Sequence, residues 1–386
     1  MNLTSPVSPI DHWALAPHVL HLNHGSFGGC PRVVLAAADA CRARMEAAPM
    51  RFYVLEWQAE LDRARAAVAA FVGANAEHLV FVPSSTTGVA LALASAELAA
   101  GDEILTTSHA YRACMNQLVR LADSRGARIT VVPITLPFDP DALVDATTRA
   151  ITPRTRLALL DHITSPTALR LPVERLVPVL AARGIQVLVD GAHAPGQLAL
   201  DVNALGATWY VGNHHKWLCA PKGSGFLASS SAGASRLRPL VTSHGATPTY
   251  GPPNRLHAEL DWAGTHDPSP HLAVPTAIET IAAEGGGWPE VFARNHALAL
   301  EVRDRLGGSL LAPDDAVGTM AAVPLALPTG VAPLALERQL LERGIEVPIV
   351  DYPGQPLVRV SAHLYNHAGE ADLLVRELHA LGARIV

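Results

Sequence analysis

The chain has 386 residues, 49% of them hydrophobic and 17% charged, with a formal net charge of −6 and a pI near 6.3. That composition excludes a disordered chain, and the acidic balance argues against a nucleic-acid partner, because phosphate binding wants a basic face. No apolar run approaches the roughly 20 residues that cross a bilayer, and Met1–Pro17 carries no basic stretch followed by an apolar one. No membrane partner and a reduced, cytoplasmic location are therefore expected. The four cysteines (Cys30, Cys41, Cys114 and Cys219) are scattered without a CxxC pair, which argues against structural zinc.

From about residue 33 to 230, apolar strand-like runs alternate with helical patterns. The expected strands are Leu79–Val82, Glu103–Thr106, Arg128–Pro133, Arg156–Asp161, Gln186–Val189, Thr208–Val211 and Gly225–Ala228. Several are apolar throughout, as strands covered on both faces must be. Helical spacing is found at Leu61–Val72, Thr87–Ala99, Tyr111–Arg125, Asp139–Ala150 and Val173–Arg183. This alternation predicts an α/β architecture with a mostly parallel sheet. Residues 239–275, rich in Pro, Gly, Thr and His, read as long loops. Helices at Pro275–Ala283 and Trp288–Leu306 follow. A smaller α+β unit then begins: strand Met320–Pro324, helix Pro333–Arg343, strands Glu346–Ile349 and Leu357–Ser361, and helix Gly369–Leu381.

Of the 29 basic residues 27 are arginine, and the two lysines, Lys216 and Lys222, lie six positions apart. Chemistry that needs a lysine amine must use one of them. Lys216 follows an apolar strand and is flanked by His214, His215 and Trp217, surroundings that desolvate an amine and favour its nucleophilic form. Lys222 sits between Pro221 and Gly223 in a turn-like stretch and reads as surface. Asp190 ends the preceding buried strand, where open α/β sheets place their ligands. An Asp that keeps a pyridine nitrogen protonated and a Lys that forms an imine are the pair that pyridoxal phosphate (PLP) chemistry requires. Phe81–Gly88 runs from a strand into a helix through Ser84, Ser85, Thr86 and Thr87, which suits either a phosphate cradle or an ordinary helix cap. His109 follows a strand and is a candidate to stack on a cofactor ring, with Tyr111 as a second candidate. Arg359, in the last strand of the C-terminal unit, is suited to clamp a carboxylate with paired hydrogen bonds.

The motifs LNHGSFGGCP (Leu22–Pro31), FVPSSTTGVA (Phe81–Ala90), LLDHITSPTAL (Leu159–Leu169), VDGAHAPG (Val189–Gly196), GNHHKWLCAPKG (Gly212–Gly223), LDWAGTHDP (Leu260–Pro268) and VRVSAHLYN (Val358–Asn366) occur in one order along nearly the whole chain. In them the chain resembles a fold-type-I PLP enzyme of aminotransferase class V, and within that class the isopenicillin N epimerase-like group. The resemblance implies a large cofactor domain over residues 18–265 and a small domain from residues 1–17 and 266–386. It implies that Lys216 holds PLP as a Schiff base, Asp190 meets the pyridine nitrogen and His193 approaches the O3′ side. Ser85 and Thr86 would hold the phosphate, helped by Asn213 and His215, while His109 stacks on the ring. Gly264 and Thr265 resemble the stretch that reaches the phosphate of a neighbouring subunit, which implies a homodimer. Arg359 would bind the α-carboxylate of an amino-acid substrate, with His24 and Ser26 lining the substrate side. Ser165 stands where related cysteine desulfurases carry Asn.

Such a site acts at Cα, and epimerisation, β-elimination and transamination all start from the same proton removal. The segment Leu341–Val358 contains no cysteine, whereas cysteine desulfurases need a mobile one there. Epimerisation is the first expectation, with a C–S lyase or an aminotransferase as alternatives and a protein used only for binding as a different class. A second acid/base would come from His24, Tyr111, His214, His244 or His363. The loops 239–275 and 351–356, with Tyr250, Arg255, His257 and Tyr352, are expected to shape the substrate pocket. Arg51 reads either as a contact to a second carboxylate or as a solvated helix-end residue.

Overall fold

The computed structural model describes residues 10–247 and 251–386; Tyr250 lies outside the described residues. Seven strands form the main sheet: β1 (Leu79–Val82), β2 (Glu103–Thr107), β3 (Arg128–Val132), β4 (Thr155–Asp161), β5 (Gln186–Gly191), β6 (Trp209–Asn213) and β7 (Gly225–Ser229). Their order is β1-β7-β6-β5-β4-β2-β3. Only β7 runs against its neighbours, β1 and β6. The remaining pairs are parallel, as the near-continuous apolar runs predict.

Register at the carboxyl ends builds the site. Asp161 of β4 pairs with Asp190 of β5, and Gly191 with Gly212 of β6. Gly225 of β7 pairs with both Val82 and Asn213. That close approach requires glycine, because a Cβ on Gly225 would stand 2.8 Å from the Gly212 carbonyl oxygen. Gly88 does the same for the helix Ser85–Ala94, where a Cβ would meet Val211 Cγ1 at 2.8 Å.

Every expected strand of the main sheet forms within two residues of its predicted ends. The helix expected at Thr87–Ala99 instead spans Ser85–Ala94. It starts early because the Ser84 hydroxyl accepts from Thr87 N, and it stops where the Ser95 hydroxyl turns back onto the Leu91 carbonyl at 2.8 Å. The helix Arg32–Ala47 was not predicted, although Val34, Ala38, Cys41 and Met45 form its buried stripe. Within the predicted loop 239–275 the short helices Arg255–Leu260 and Ser269–Leu272 form, the first capped by Asn254.

The C-terminal unit carries four antiparallel strands, β8 (Met320–Ala326), β9 (Ile349–Val350), β10 (Leu357–Ser361) and β11 (Arg384–Ile385), in the order β9-β10-β8-β11. The strand expected at Glu346–Ile349 is split around Pro348, which has no N–H to donate. Ile345–Glu346 instead pairs with Leu20–His21. Leu22 packs into the C-terminal core with Ile345 and Val358. Val274 and Ala277 pack into the main core with Val34 and Val68. Among the described residues no helix is long and apolar enough to cross a membrane.

Arg65, on the helix Trp57–Val72, ties β1 to the stretch before Gly264. It donates to the Leu79 carbonyl at 2.8 Å and to Asp261 at 2.6 Å, with both charged side chains 2% exposed. Removing one partner leaves the other charge buried and unmatched, at about 3–5 kcal/mol. Asp261→Ala is therefore expected to lower the unfolding free energy by that amount in denaturant titrations, whereas Asp62→Ala, on the exposed side of the same arginine, costs under about 1 kcal/mol.

Candidate active site

The strand ends bring the expected groups to two adjoining cavities. The smaller, about 210 Å³, is lined by Ser26, Ser85, Thr86, Asp190, His193, Asn213, His215 and Lys216. The larger, about 650 Å³, shares Ser26, His193 and Lys216 with it and adds His109 and Arg359.

Lys216 Nζ lies 3.0 Å from His193 Nε2, and Trp217 Nε1–H donates to His193 Nδ1 at 3.5 Å. With Nδ1 accepting from Trp217, the neutral imidazole carries its proton on Nε2 and donates it to the Lys216 lone pair. That arrangement needs an uncharged amine. Burial, aided by the nearby Arg359 charge and opposed by Asp190 and Cys114, lowers the Lys216 pKa to about 7. Burial, reinforced by Lys216, holds His193 well below the usual imidazole range. Lys222 is exposed and donates to the Gly28 carbonyl.

Asp190 accepts from Ala192 N at 3.0 Å and from the Cys114 thiol at 3.2 Å. Asp161 lines the same cavity from the neighbouring strand end. It was not singled out in the sequence, although it ends an apolar strand just as Asp190 does. Burial and the Asp190 carboxylate push its pKa well up, and burial raises that of Asp190 too.

At the other wall, Ser85 N donates to Asn213 Oδ1 at 2.8 Å, and among the described residues the buried Ser85 hydroxyl has no partner at the helix N-terminus. His215 Nδ1–H donates to the Ser224 carbonyl at 2.8 Å, and burial lowers its pKa to about 4. His109 is held at both ring nitrogens, by Thr167 at 3.0 Å and by the Tyr352 hydroxyl at 2.8 Å, and burial brings its pKa to about 4. Sequence reasoning gave Thr167 no part, since nothing local marks it. Arg359 donates to Ser26 Oγ at 2.8 Å and Ser165 Oγ at 3.2 Å. Ser165 therefore meets Arg359, which places it beside the arginine.

Two expected residues line neither cavity. His24 is buried beneath the Lys216 backbone, bonding the Lys216 carbonyl at 3.1 Å and the Tyr365 hydroxyl at 2.9 Å, and it stacks on His363 at 4.0 Å. It supports the loop that carries Lys216 from beneath. Thr265 is exposed on its own chain. Of the candidate second acid/bases, His214 and His363 are also buried away from both cavities, and His244 lines a separate cavity with Tyr53, Trp57 and His257. Tyr111 lines both cavities of the site. Arg255 pairs with Glu259 and Arg51 with Glu56.

A buried amine, a strand-end carboxylate and an unpartnered hydroxyl at a helix N-terminus fit PLP, and the fold and site together define a PLP-dependent enzyme. The family model for aminotransferase class-V matches residues 29–374, and the chain belongs to that family. It is 38% identical to an isopenicillin N epimerase of Amycolatopsis lactamdurans over 95% of this chain and 96% of that one. It is 32% identical to a putative L-cysteine desulfhydrase of Oryza sativa subsp. japonica, over 92% of this chain and 83% of that one. The solved structure of C-DES with glycine covalently linked to its PLP cofactor aligns with a TM-score of 0.80 at 20% identity, covering 94% of this chain and 96% of that one.

Because the chain has only two lysines, the state of Lys216 is directly measurable. In the cofactor-free protein, reductive methylation of Lys216 followed by peptide mass spectrometry is expected to rise with pH to half its plateau near pH 7, the value to which burial lowers its pKa. The amine is neutral and reactive above that pH and protonated below it. A rate still climbing through pH 9–10, as for an ordinary lysine of pKa about 10.4, would contradict the burial argument.

Proposed function

We propose that this enzyme epimerises an amino-acid substrate at Cα, Lys216 and Tyr111 handling the proton on opposite faces. The observation that carries the reading is the buried amine of Lys216 in a cavity shared with Tyr111 and Arg359. PLP, held by Asp190, Ser85, Thr86, Asn213 and His215, supplies the electron sink that makes a Cα proton removable. Arg359 takes the substrate carboxylate in a paired hydrogen-bonded geometry and so fixes which bond faces the sink. Lys216 Nζ, once free of the cofactor, is a base with a pKa suited to neutral pH. The Tyr111 hydroxyl returns the proton from the other wall. Support comes from the likeness to an isopenicillin N epimerase over nearly the full chain.

The desulfhydrase relatives favour a second reading, β-elimination from an S-substituted cysteine. All four cysteines are free and buried, and none lies between Leu341 and Val358, which disfavours a persulfide-forming variant of it. The assembly belongs to the same proposal: two copies, with Gly264–Thr265 of each reaching the other's phosphate site, which accords with Thr265 being exposed on its own chain. Light scattering is then expected to give about twice the 40.7 kDa chain mass; a monomer at micromolar concentration rules the shared site out.

Proton NMR in D2O with a panel of amino acids tests the reaction. Deuterium entering Cα with appearance of the opposite configuration is expected. Tyr111→Phe should slow inversion by about 10²–10⁴-fold, the usual worth of an acid/base group, while deuterium exchange with retention persists. Release of keto acid and ammonia without inversion would establish the lyase reading instead.

A further inference from the structure

Two buried hydroxyls and an imidazole ring lead to the wall of the larger cavity as one hydrogen-bonded chain. After β4 the backbone folds into a tight turn, in which Ala168 N donates to the Thr164 carbonyl at 3.1 Å and Thr164 N to the Leu169 carbonyl at 2.9 Å. Ala168 has φ 57°, in the left-handed region that a residue with a Cβ rarely adopts. The turn sets the hydroxyls of Thr164 and Thr167, 0% and 2% exposed, 2.8 Å apart. Leu169 N donates to Thr164 Oγ1 at 2.9 Å. Thr167 Oγ1 lies 3.0 Å from His109 Nδ1, and His109 Nε2 lies 2.8 Å from the Tyr352 hydroxyl.

Counting protons orients each of these bonds. A backbone N–H can only donate, so Thr164 Oγ1 accepts from Leu169. Among the described residues the Thr164 O–H has one acceptor in reach, Thr167 Oγ1. The Thr167 O–H then has His109 Nδ1. A neutral ring that accepts at Nδ1 carries its proton on Nε2 and donates it to Tyr352. The reverse order, or a charged ring donating from both nitrogens, would strand the Thr164 hydroxyl proton in a fully buried place, which is the costly arrangement. The Tyr352 oxygen is thus an acceptor towards His109, and its own proton points elsewhere. Among the described residues that O–H has no acceptor, and Tyr352 lines the cavity together with Tyr111, Lys216 and Arg359.

From this we infer that Tyr352 is a specificity-determining residue, its hydroxyl fixed as a hydrogen-bond donor towards the substrate side chain. Side chains that offer an acceptor oxygen are favoured, and those that end in donors alone are not. Thr164, Thr167 and His109 are positioning residues that act through Tyr352. Burial raises the Tyr352 pKa, which keeps the proton on the oxygen at neutral pH. The inference deepens the proposed function, since it rests on Arg359 holding the reacting head in the same cavity.

Isothermal titration of the holoenzyme with three probes of similar length tests it: L-norleucine (no polar group on the side chain), L-2-amino-5-oxohexanoate (an acceptor only) and L-ornithine (donors only). None has a β-leaving group, so binding is read without elimination. The oxo probe is expected to bind about three- to tenfold tighter than norleucine, the net worth of one hydrogen bond, and ornithine no tighter than norleucine. Tyr352→Phe should erase the advantage of the oxo probe. Thr167→Val, at a position outside the cavity lining, frees His109 Nε2 to accept from Tyr352, so the hydroxyl turns a lone pair to the cavity. The oxo advantage should then fall and ornithine should gain on norleucine, whereas mere loosening of the fold would weaken all three alike. Nitrogen-15 NMR of histidine-labelled holoenzyme, with His109→Gln to assign the signal, should show the Nε2–H tautomer, and it decides the matter even where Thr167→Val does not fold. An Nδ1–H tautomer, an oxo probe no tighter than norleucine, no binding of any probe, or an advantage that survives Tyr352→Phe overturns the inference, as does equal weakening of all three probes in Thr167→Val. Cα deuterium exchange in the same samples reports separately on the reaction. Acceptor-dependent binding without exchange would sink the proposed function and leave the role of Tyr352 standing.

Discussion

Placing an amine in a protein interior costs several kcal/mol if it keeps its charge, and at Lys216 that cost lowers the pKa to about 7, so that the amine gives up its proton near neutral pH. The neighbourhood is arranged around this outcome. Arg359 adds a repulsive charge, His193 presents an N–H to the freed lone pair, and Trp217 fixes the tautomer that makes the N–H available. A protonated Lys216 would demand an accepting Nε2 and would break the Trp217 contact. The same low-dielectric setting pushes the neighbouring carboxyl of Asp161 well towards its neutral form and raises the pKa of Asp190 as well, which the Ala192 N–H and the Cys114 thiol oppose.

The sheet turns these separate preferences into a site. Parallel strands in register deliver Asp161, Asp190 and Val211 at one level, and β7 brings Asn213 beside the start of the Ser85–Ala94 helix. Chain reversal at β7 thereby sets a side-chain amide against a helix N-terminus, leaving the Ser85 hydroxyl and the helix dipole free for an anion. The C-terminal unit contributes what the sheet lacks, a guanidinium brought over the cavity on β10. Burial lowers the Arg359 pKa only to about 10, so it stays charged at neutral pH, where Lys216, with its pKa lowered to about 7, is close to half neutral.

Much of this was legible in the sequence because the signals are local. Apolar runs covered on both faces cannot be mistaken for amphipathic ones, and Asp190 and Lys216 sit at ends of such runs. What was not legible depended on distance through space. His24 lies in a motif that resembles a substrate loop, yet its ring turns under the Lys216 carbonyl and stacks on His363, a partner 339 positions away. The helix Arg32–Ala47 was hidden by alanines, which give little hydrophobic contrast between its faces. Asp161 carried the same strand-end signal as Asp190, and only the register of β4 against β5 shows that the two must be read as a pair.

The pairing of Leu20–His21 with Ile345–Glu346, together with the Ser26–Arg359 hydrogen bond, has a consequence for how the chain comes together. A ribosome releases the N-terminal segment first, but its partners are more than 320 residues behind it. At roughly 5–20 residues per second this interval is on the order of half a minute. Through that time the main sheet can condense around its own strand order while Leu22 and Ser26 wait beside it. Arg359 and the N-terminal loop then dock in one late event, with high sequence separation and a correspondingly slow closure. The half-built protein thus possesses Lys216 and the N-terminus of the Ser85–Ala94 helix before Arg359 can be brought over them.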